Sequence, residues 1–286
     1  MSDVQPAQPT HMQQVLMCVA IAGSALVATS CAPTSSDEAA VNDHETEIVA
    51  IDEPTPSPSR TESNGGSAGS RLLPMTDDEA AAPTEVTVEG ITKSVSDPNS
   101  IWVVVNKQNP LLPSYEPNDL TMPDMPRKGS HLELRAEAAR ALMEMSRAAN
   151  DEVGKPIQLV SGYRSYADQK EVYEKYVAKD GQENADTYSA RPGYSEHQTG
   201  LVADFSTVHG KMEKFGDSKV GKWTLENSWK YGFINRYTPE NTAISGYQSE
   251  PWHYRYIGKE LAKYYHDNGF KTLEQALDQP IAPDYK

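Results

Sequence analysis

Every Trp, Phe and Tyr of this 286-residue chain lies beyond residue 100, so any sizeable hydrophobic core has to be built from residues 101–286. The first 100 residues carry three basic side chains (Arg60, Arg71 and Lys93) against 15 acidic ones, which leaves them −12 of the chain's net −15. A stretch this acidic and this poor in aromatics cannot bury enough apolar surface to offset the entropy of ordering it. The remaining residues are close to neutral and hold no basic stripe that could neutralise phosphates, which excludes nucleic acid as a partner.

Within the acidic part, Val15–Ala28 is the strongly apolar run; at 14 residues it falls short of the roughly 20 that a membrane-spanning helix needs. It leads into "ATSC", whose small residues before Cys31 resemble a bacterial lipoprotein processing site. The expected organisation is a signal and processing region over 1–31, an acidic Pro/Ser/Thr-rich tether over 32–98 and a folded domain over 99–286. That implies an extracytoplasmic, cell-surface location, anchored through a lipid on Cys31. Ordinary secretion or an uncleaved anchor is the first alternative and a cytoplasmic protein with an incidental apolar patch the second; the membrane would be met only through the N-terminus, and the chain is read as a monomer. The two cysteines, Cys18 and Cys31, both lie in this leader, so a metal in the folded part would have to be held by histidine and carboxylate.

The folded part mixes helix and strand signals without a regular alternation. "SIWVVVNKQNPLLP" (100–113) is β-branched and ends in an Asn-Pro turn, which predicts the first strand. Over 130–150 a helix is expected, with Ser130 and Glu133 as a capping box and Leu134, Ala138, Ala141, Leu142 and Met145 on one face. "KPIQLVSGYRS" reads as a short strand, with Ser165 and Asp168 capping a helix that Gly181 ends. "GLVADFS" and "PWHYRYIG" read as strands; "GKWTLENSWKYG", "KELAKYYHDNG" and "TLEQALDQ" read as helical. Together these predict an α+β fold with a small, mostly antiparallel sheet flanked by helices.

His197 and Asp204 stand seven residues apart in "PGYSEHQTGLVADFS", on either side of Gly200, and His253 follows Glu250 by three in "EPWH". The proline between Glu250 and His253 excludes the helical geometry of the His-Glu-x-x-His zinc proteases. A turn followed by a strand can bring His197 and Asp204 to one ion, and a second histidine from a distant strand would complete a three-ligand N,N,O set with an open position. On spacing alone, turn-capping and solvated residues explain these positions more readily than a metal site.

"SGYRS" (161–165), "SEHQTGLVAD" (195–204) and "EPWH" (250–253), in this order, resemble the signature set of the zinc D-alanyl-D-alanine carboxypeptidases. That family includes the vancomycin-resistance D,D-carboxypeptidases and the peptidoglycan L,D-carboxypeptidases. The resemblance spans about 101–277 and implies Zn2+ as cofactor, His197, Asp204 and His253 as its ligands, and Glu250 as catalytic base. It also implies Arg164 as a catalytic and substrate-holding residue, with Gln169, Ser195, Tyr237 and Trp252 against a terminal D-alanine. One departure is Val202, where the family usually carries Ala; in a strand it shares a face with Asp204. The implied partners are peptidoglycan stem peptides, and the implied reaction is removal of their C-terminal D-alanine. Within it, L,D cleavage of tetrapeptide is favoured over D,D cleavage of pentapeptide. The alternatives are a zinc endopeptidase cutting within the stem and an inactive wall-binding lipoprotein.

Overall fold

The computed structural model describes residues 82–286; the leader, Cys31 and most of the tether lie outside them. Order begins earlier than Ser100. A hairpin of β1 (Glu85–Val88) and β2 (Ile91–Ser94) occupies the end of the stretch read as tether. Its turn residues Glu89 and Gly90 both take positive φ, 51° and 79°, the geometry that matches the twist of a two-residue hairpin. Val88 and Val95 anchor it in a cluster with Trp102, Ile257 and Leu261, an aliphatic contribution that an aromatic count overlooks.

The predicted strand over 100–113 is instead an irregular segment. Its side chains alternate, Trp102 and Val104 entering one cluster and Val103 and Val105 another. Among the described residues no strand pairs with it; the carbonyls of Ile101 and Val103 accept from the Arg255 guanidinium at 3.2 and 2.8 Å. Burial on both sides favoured β-branched residues here, and a charged side chain took over the backbone bonding that a ladder would otherwise supply.

Next come β3 (Leu120–Thr121) and β4 (Leu134–Arg135), paired with each other, and then α1 (Ala136–Val153). The helix therefore starts after Arg135, and the expected Ser130–Glu133 capping box does not form. The backbone before it is committed elsewhere: the carbonyls of His131 and Glu133 accept from Gly162 N at 2.6 Å and Tyr163 N at 2.7 Å. The predicted apolar face of α1 does point inward, with Ala138, Ala141, Leu142 and Met145 all buried.

Beyond α1 the expected elements appear in order, β5 (Ile157–Ser161), α2 (Tyr166–Asp180), β6 (Val202–Thr207) and α4 (Lys219–Asn227), with an unpredicted short helix, α3 (Gln182–Ala185), after α2. Ser165 Oγ accepts from Asp168 N at 3.1 Å, and α2 ends at Gly181 as expected. After α4, a 3-10 turn closes on Gly232 at φ 85°. There follow β7 (Phe233–Tyr237), α5 (Thr242–Ser245), β8 (Glu250–Tyr256), α6 (Lys259–Asp267) and α7 (Leu273–Ala276). Four of the strands form a sheet in the order β5-β6-β8-β7, antiparallel throughout, so the α+β reading is correct. No helix among the described residues is long and apolar enough to cross a membrane.

The period of two along each strand separates a packing face from a chemical one. Leu201, just before β6, and Ala203 and Phe205 on it join the core with Leu142, Met145 and Leu159, and on β8 Tyr254 and Tyr256 do the same. Phe205 stacks on Tyr254 with ring centroids 5.1 Å apart. Asp204, His253 and Arg255 thereby fall on the other face. Val202 has the same parity and sits opposite Arg255 in the register; it is buried and does not line the cavity described next.

Candidate active site and metal centre

The sheet register brings the chemistry together. Asp204 on β6 lies directly across from His253 on β8, and Ser161 on β5 lies across from Asp204 on the other side. At the start of β8, Glu250 pairs with Tyr237 beyond an irregularity in the β7–β8 ladder. His197 arrives from the 3-10 turn Glu196–Thr199, whose cap is Ser195 and whose exit is Gly200 at φ 66°. A side chain at Gly200 would clash with Leu120 Cδ2 at 2.9 Å and crowd Arg135 Cγ at 3.1 Å, so glycine is required both for the conformation and for the space.

His197 Nε2 stands 3.3 Å from Asp204 Oδ2, and His253 Nδ1 stands 3.3 Å from Asp204 Oδ1. The two imidazoles meet edge to face, with ring centroids 5.2 Å apart. Each ring is held from behind: His197 Nδ1 contacts Gly162 O at 2.6 Å, and His253 Nε2 contacts Glu196 Oε2 at 3.4 Å. Gly162 admits no side chain, because a Cβ would lie 2.4 Å from Glu133 O.

This donor set fits a divalent cation. One ligand atom from each of His197, Asp204 and His253 falls within 4.8 Å of the others, and all three residues are buried. Among the described residues Asp204 Oδ1 has no hydrogen-bond partner despite its burial, an orphan that ordinarily costs stability and that a cation would satisfy. N,N,O ligation is a zinc arrangement, and the Gly162 carbonyl and Glu196 carboxylate are the kind of outer partners that fix a ligating imidazole's orientation.

Burial alone would raise the Asp204 pKa, but His197 and His253 outweigh it and hold the carboxyl well below its ordinary range. Burial pushes the Glu250 carboxyl up to about 7, against the pull of His253. For His197 burial dominates and lowers the pKa. For His253 burial also acts downward, but the nearby carboxylates of Asp204 and Glu196 outweigh it and carry the imidazole to about 9.

These residues open on a cavity of about 340 Å3, lined also by Glu250, Arg164, Gln169, Ser195, Tyr237 and Trp252. All nine residues predicted for the site therefore border one space, though not all present a free group to it. Glu250 Oε2 lies 3.4 Å from His253 Nδ1. The Arg164 fork is already oriented, donating to Gln169 Oε1 at 2.8 Å and to Ser161 Oγ at 3.0 Å. Gln169 gives its amide to Ala190 O at 2.6 Å, so both of its ends are engaged and it buttresses Arg164. Ser195 Oγ accepts from His197 N at 3.3 Å, which makes it the cap of the turn. Tyr237 is buried with its ring centroid 4.9 Å from that of His253, and Trp252 packs against the main core.

A family model for VanY D-alanyl-D-alanine carboxypeptidase matches residues 131–259, the span that holds every one of these residues. YodJ of Bacillus subtilis (strain 168), which is named as a carboxypeptidase, is 42% identical over 199 residues that cover 67% of this chain and 72% of that protein. This chain belongs to the VanY family of D-alanyl-D-alanine carboxypeptidases. Two solved structures carry the likeness into three dimensions. The LdcB LD-carboxypeptidase is 41% identical with a TM-score of 0.61, covering 68% of this chain and 94% of its own. A variant of the vancomycin-resistance D,D-pentapeptidase VanY, solved in complex with Zn(II), is 33% identical with a TM-score of 0.53, covering 63% and 99%.

In this VanY-family chain the sequence reading missed what lies beneath His253. Glu196 is buried, and its Oε1 accepts from Arg236 Nε and from Arg255 Nη1, both at 3.0 Å. Arg236 also donates to buried Glu274 at 2.7 Å. A signal was present in "WHYRY" and "FINRY": an arginine two residues after His253 shares its strand face, and charged side chains inside apolar strands have to find partners. The acid that answers them, Glu196, sits between Ser195 and His197 in the motif itself.

Proposed function

We propose that this carboxypeptidase is zinc-dependent and removes the C-terminal D-alanine from peptidoglycan stem peptides, acting as an L,D enzyme on tetrapeptides in preference to a D,D enzyme on pentapeptides. The observation that carries the reading is the convergence of His197, Asp204 and His253 within 4.8 Å beside an unligated acid, Glu250, on one cavity. In this proposal His197, Asp204 and His253 hold the ion. Zinc, when bound, supplies a Lewis acid and lowers the pKa of a coordinated water toward about 7.

The remaining work falls to the chain. Glu250 takes a proton from the attacking water on its carboxylate and returns it to the departing amine. Arg164, fixed by Ser161 and Gln169, presents a rigid fork of donors that can hold a carboxylate or the developing oxyanion at two points. Tyr237 and Trp252 wall the space where a small methyl side chain would lie, and Gln169 and Ser195 act through Arg164 and His197. The 41% identity to one LD-carboxypeptidase supports the L,D assignment, while a second L,D-carboxypeptidase and the D,D-pentapeptidase are both 33% identical.

Digestion of purified muropeptides followed by mass spectrometry tests this. Loss of one alanine from tetrapeptide is the expected product. Loss of alanine from pentapeptide alone would make the enzyme D,D, and a cut inside the stem would make it an endopeptidase. The proposal extends to location: a lipid on Cys31 would hold the enzyme at the cell surface, with the acidic tether giving it reach into the wall. Metabolic labelling with a clickable fatty acid should mark the protein and fail to mark Cys31→Ser; equal labelling of both would remove Cys31 from the account.

A further inference from the structure

We infer that Glu196 is a positioning residue for the metal centre: its carboxylate, clamped by Arg236 and Arg255, sets the orientation of His253 through Nε2. The inference rests on the zinc reading above and adds a residue outside the ligand set and outside the reacting atoms.

The geometry is directional. Glu196 lies at the start of the turn that delivers His197, while its side chain reaches across to the histidine on β8. One oxygen, Oε2, meets His253 Nε2 at 3.4 Å, and the other, Oε1, is held by two guanidinium groups at 3.0 Å each. With Nε2 engaged by Glu196, the nitrogen that His253 turns toward Asp204 and Glu250 is Nδ1. A single carboxylate therefore ties the loop carrying one ligand to the strand carrying the other.

The clamp is itself immobilised. Arg255 is fully buried, and its remaining donors go to the carbonyls of Tyr256, Ile101 and Val103. Arg236 is pinned on its other side by Glu274, which also accepts from Asn106 Nδ2 at 3.0 Å. Two buried acids thus balance two buried bases. Burying four charges gains little or nothing in stability over packing the same volume with apolar side chains. Its distinctive product is a carboxylate that cannot rotate, aimed at an imidazole that must not rotate. Outer partners of this type, when removed, weaken metal binding by about 10- to 100-fold.

The test is zinc affinity of the full-length protein, measured by competition with a chromophoric chelator, together with the visible spectrum of the cobalt-substituted form. Glu196→Gln should bind zinc about 10- to 100-fold more weakly than wild type and show an altered cobalt spectrum. Because removing a buried charge can prevent folding, Glu196→Asp provides the second arm. It keeps a negative charge between the arginines but withdraws the carboxylate from His253, so the protein should still fold while zinc affinity falls. A Glu196→Asp protein with native zinc affinity and a native cobalt spectrum would overturn the inference and reduce Glu196 to a structural counter-ion. Wild-type protein that binds no zinc would instead sink the zinc reading on which the inference stands.

Discussion

Glu250→Gln is expected to lower kcat for D-alanine release by about 10^2- to 10^4-fold, the usual contribution of a positioned general base, while leaving zinc affinity within a few-fold of wild type. The separation follows from where Glu250 sits. It opens β8 three residues before His253, and its carboxylate faces the cavity without belonging to the N,N,O cluster. Glutamine keeps the size and the hydrogen-bonding shape but cannot accept the proton of an attacking water. Free D-alanine released from stem tetrapeptide, followed alongside zinc content, reads both quantities. Turnover close to wild type would remove Glu250 as the base, and a parallel loss of bound zinc would make it a ligand. A wall-binding module without catalysis would retain peptidoglycan binding in the variant and show no D-alanine release in either protein.

The part of this architecture that could be read from the sequence is the part dictated locally. The cap at Ser165, the stops at Gly181 and Gly232, and the alternation in "GLVADFS" and "PWHYRYIG" each depend on a few adjacent residues, and each appears where its signal predicts. The failures occur where a distant partner outbid a local preference. Ser130 and Glu133 have the right spacing for a capping box, but the chain at Gly162 and Tyr163 claims the backbone of that segment. Val103 and its neighbours favour a strand, but Arg255, more than 150 residues away in sequence, bonds their carbonyls.

The same division runs through the site. His197, Asp204, Glu250 and His253 stand in recognisable motifs, whereas spacing alone could not reveal that β6 and β8 pair in the register that puts Asp204 opposite His253. Gln169 shows the finer limit. Its position was legible, but not that its two ends are engaged, one on Arg164 and one on Ala190, because both partners are set by the fold and not by the motif.

On the zinc proposal, chelation should abolish the activity and soften the fold at once. Chelator-treated protein is expected to lose about a thousandfold or more in rate, since a Lewis acid contributes several kcal/mol to stabilising transition-state charge. Zinc should restore the rate and magnesium should not, because two imidazole nitrogens suit the first ion and not the second. The stability effect has a separate origin. His253 is flanked by three carboxylates, Asp204 and Glu250 at Nδ1 and Glu196 at Nε2, and among the described residues the buried Asp204 Oδ1 makes no hydrogen bond. A cation binding the native state alone stabilises it by about 4 kcal/mol at a thousand times its Kd, worth roughly 8–16 °C in Tm for a domain of about 200 residues. Calorimetry of the metal-free and zinc-loaded forms measures the shift, and Asp204→Asn, which removes the proposed charged ligand, should cut both the shift and the turnover. Full activity after exhaustive chelation, or coincident melting of the two forms, would mean that these buried histidines and their carboxylate serve only one another.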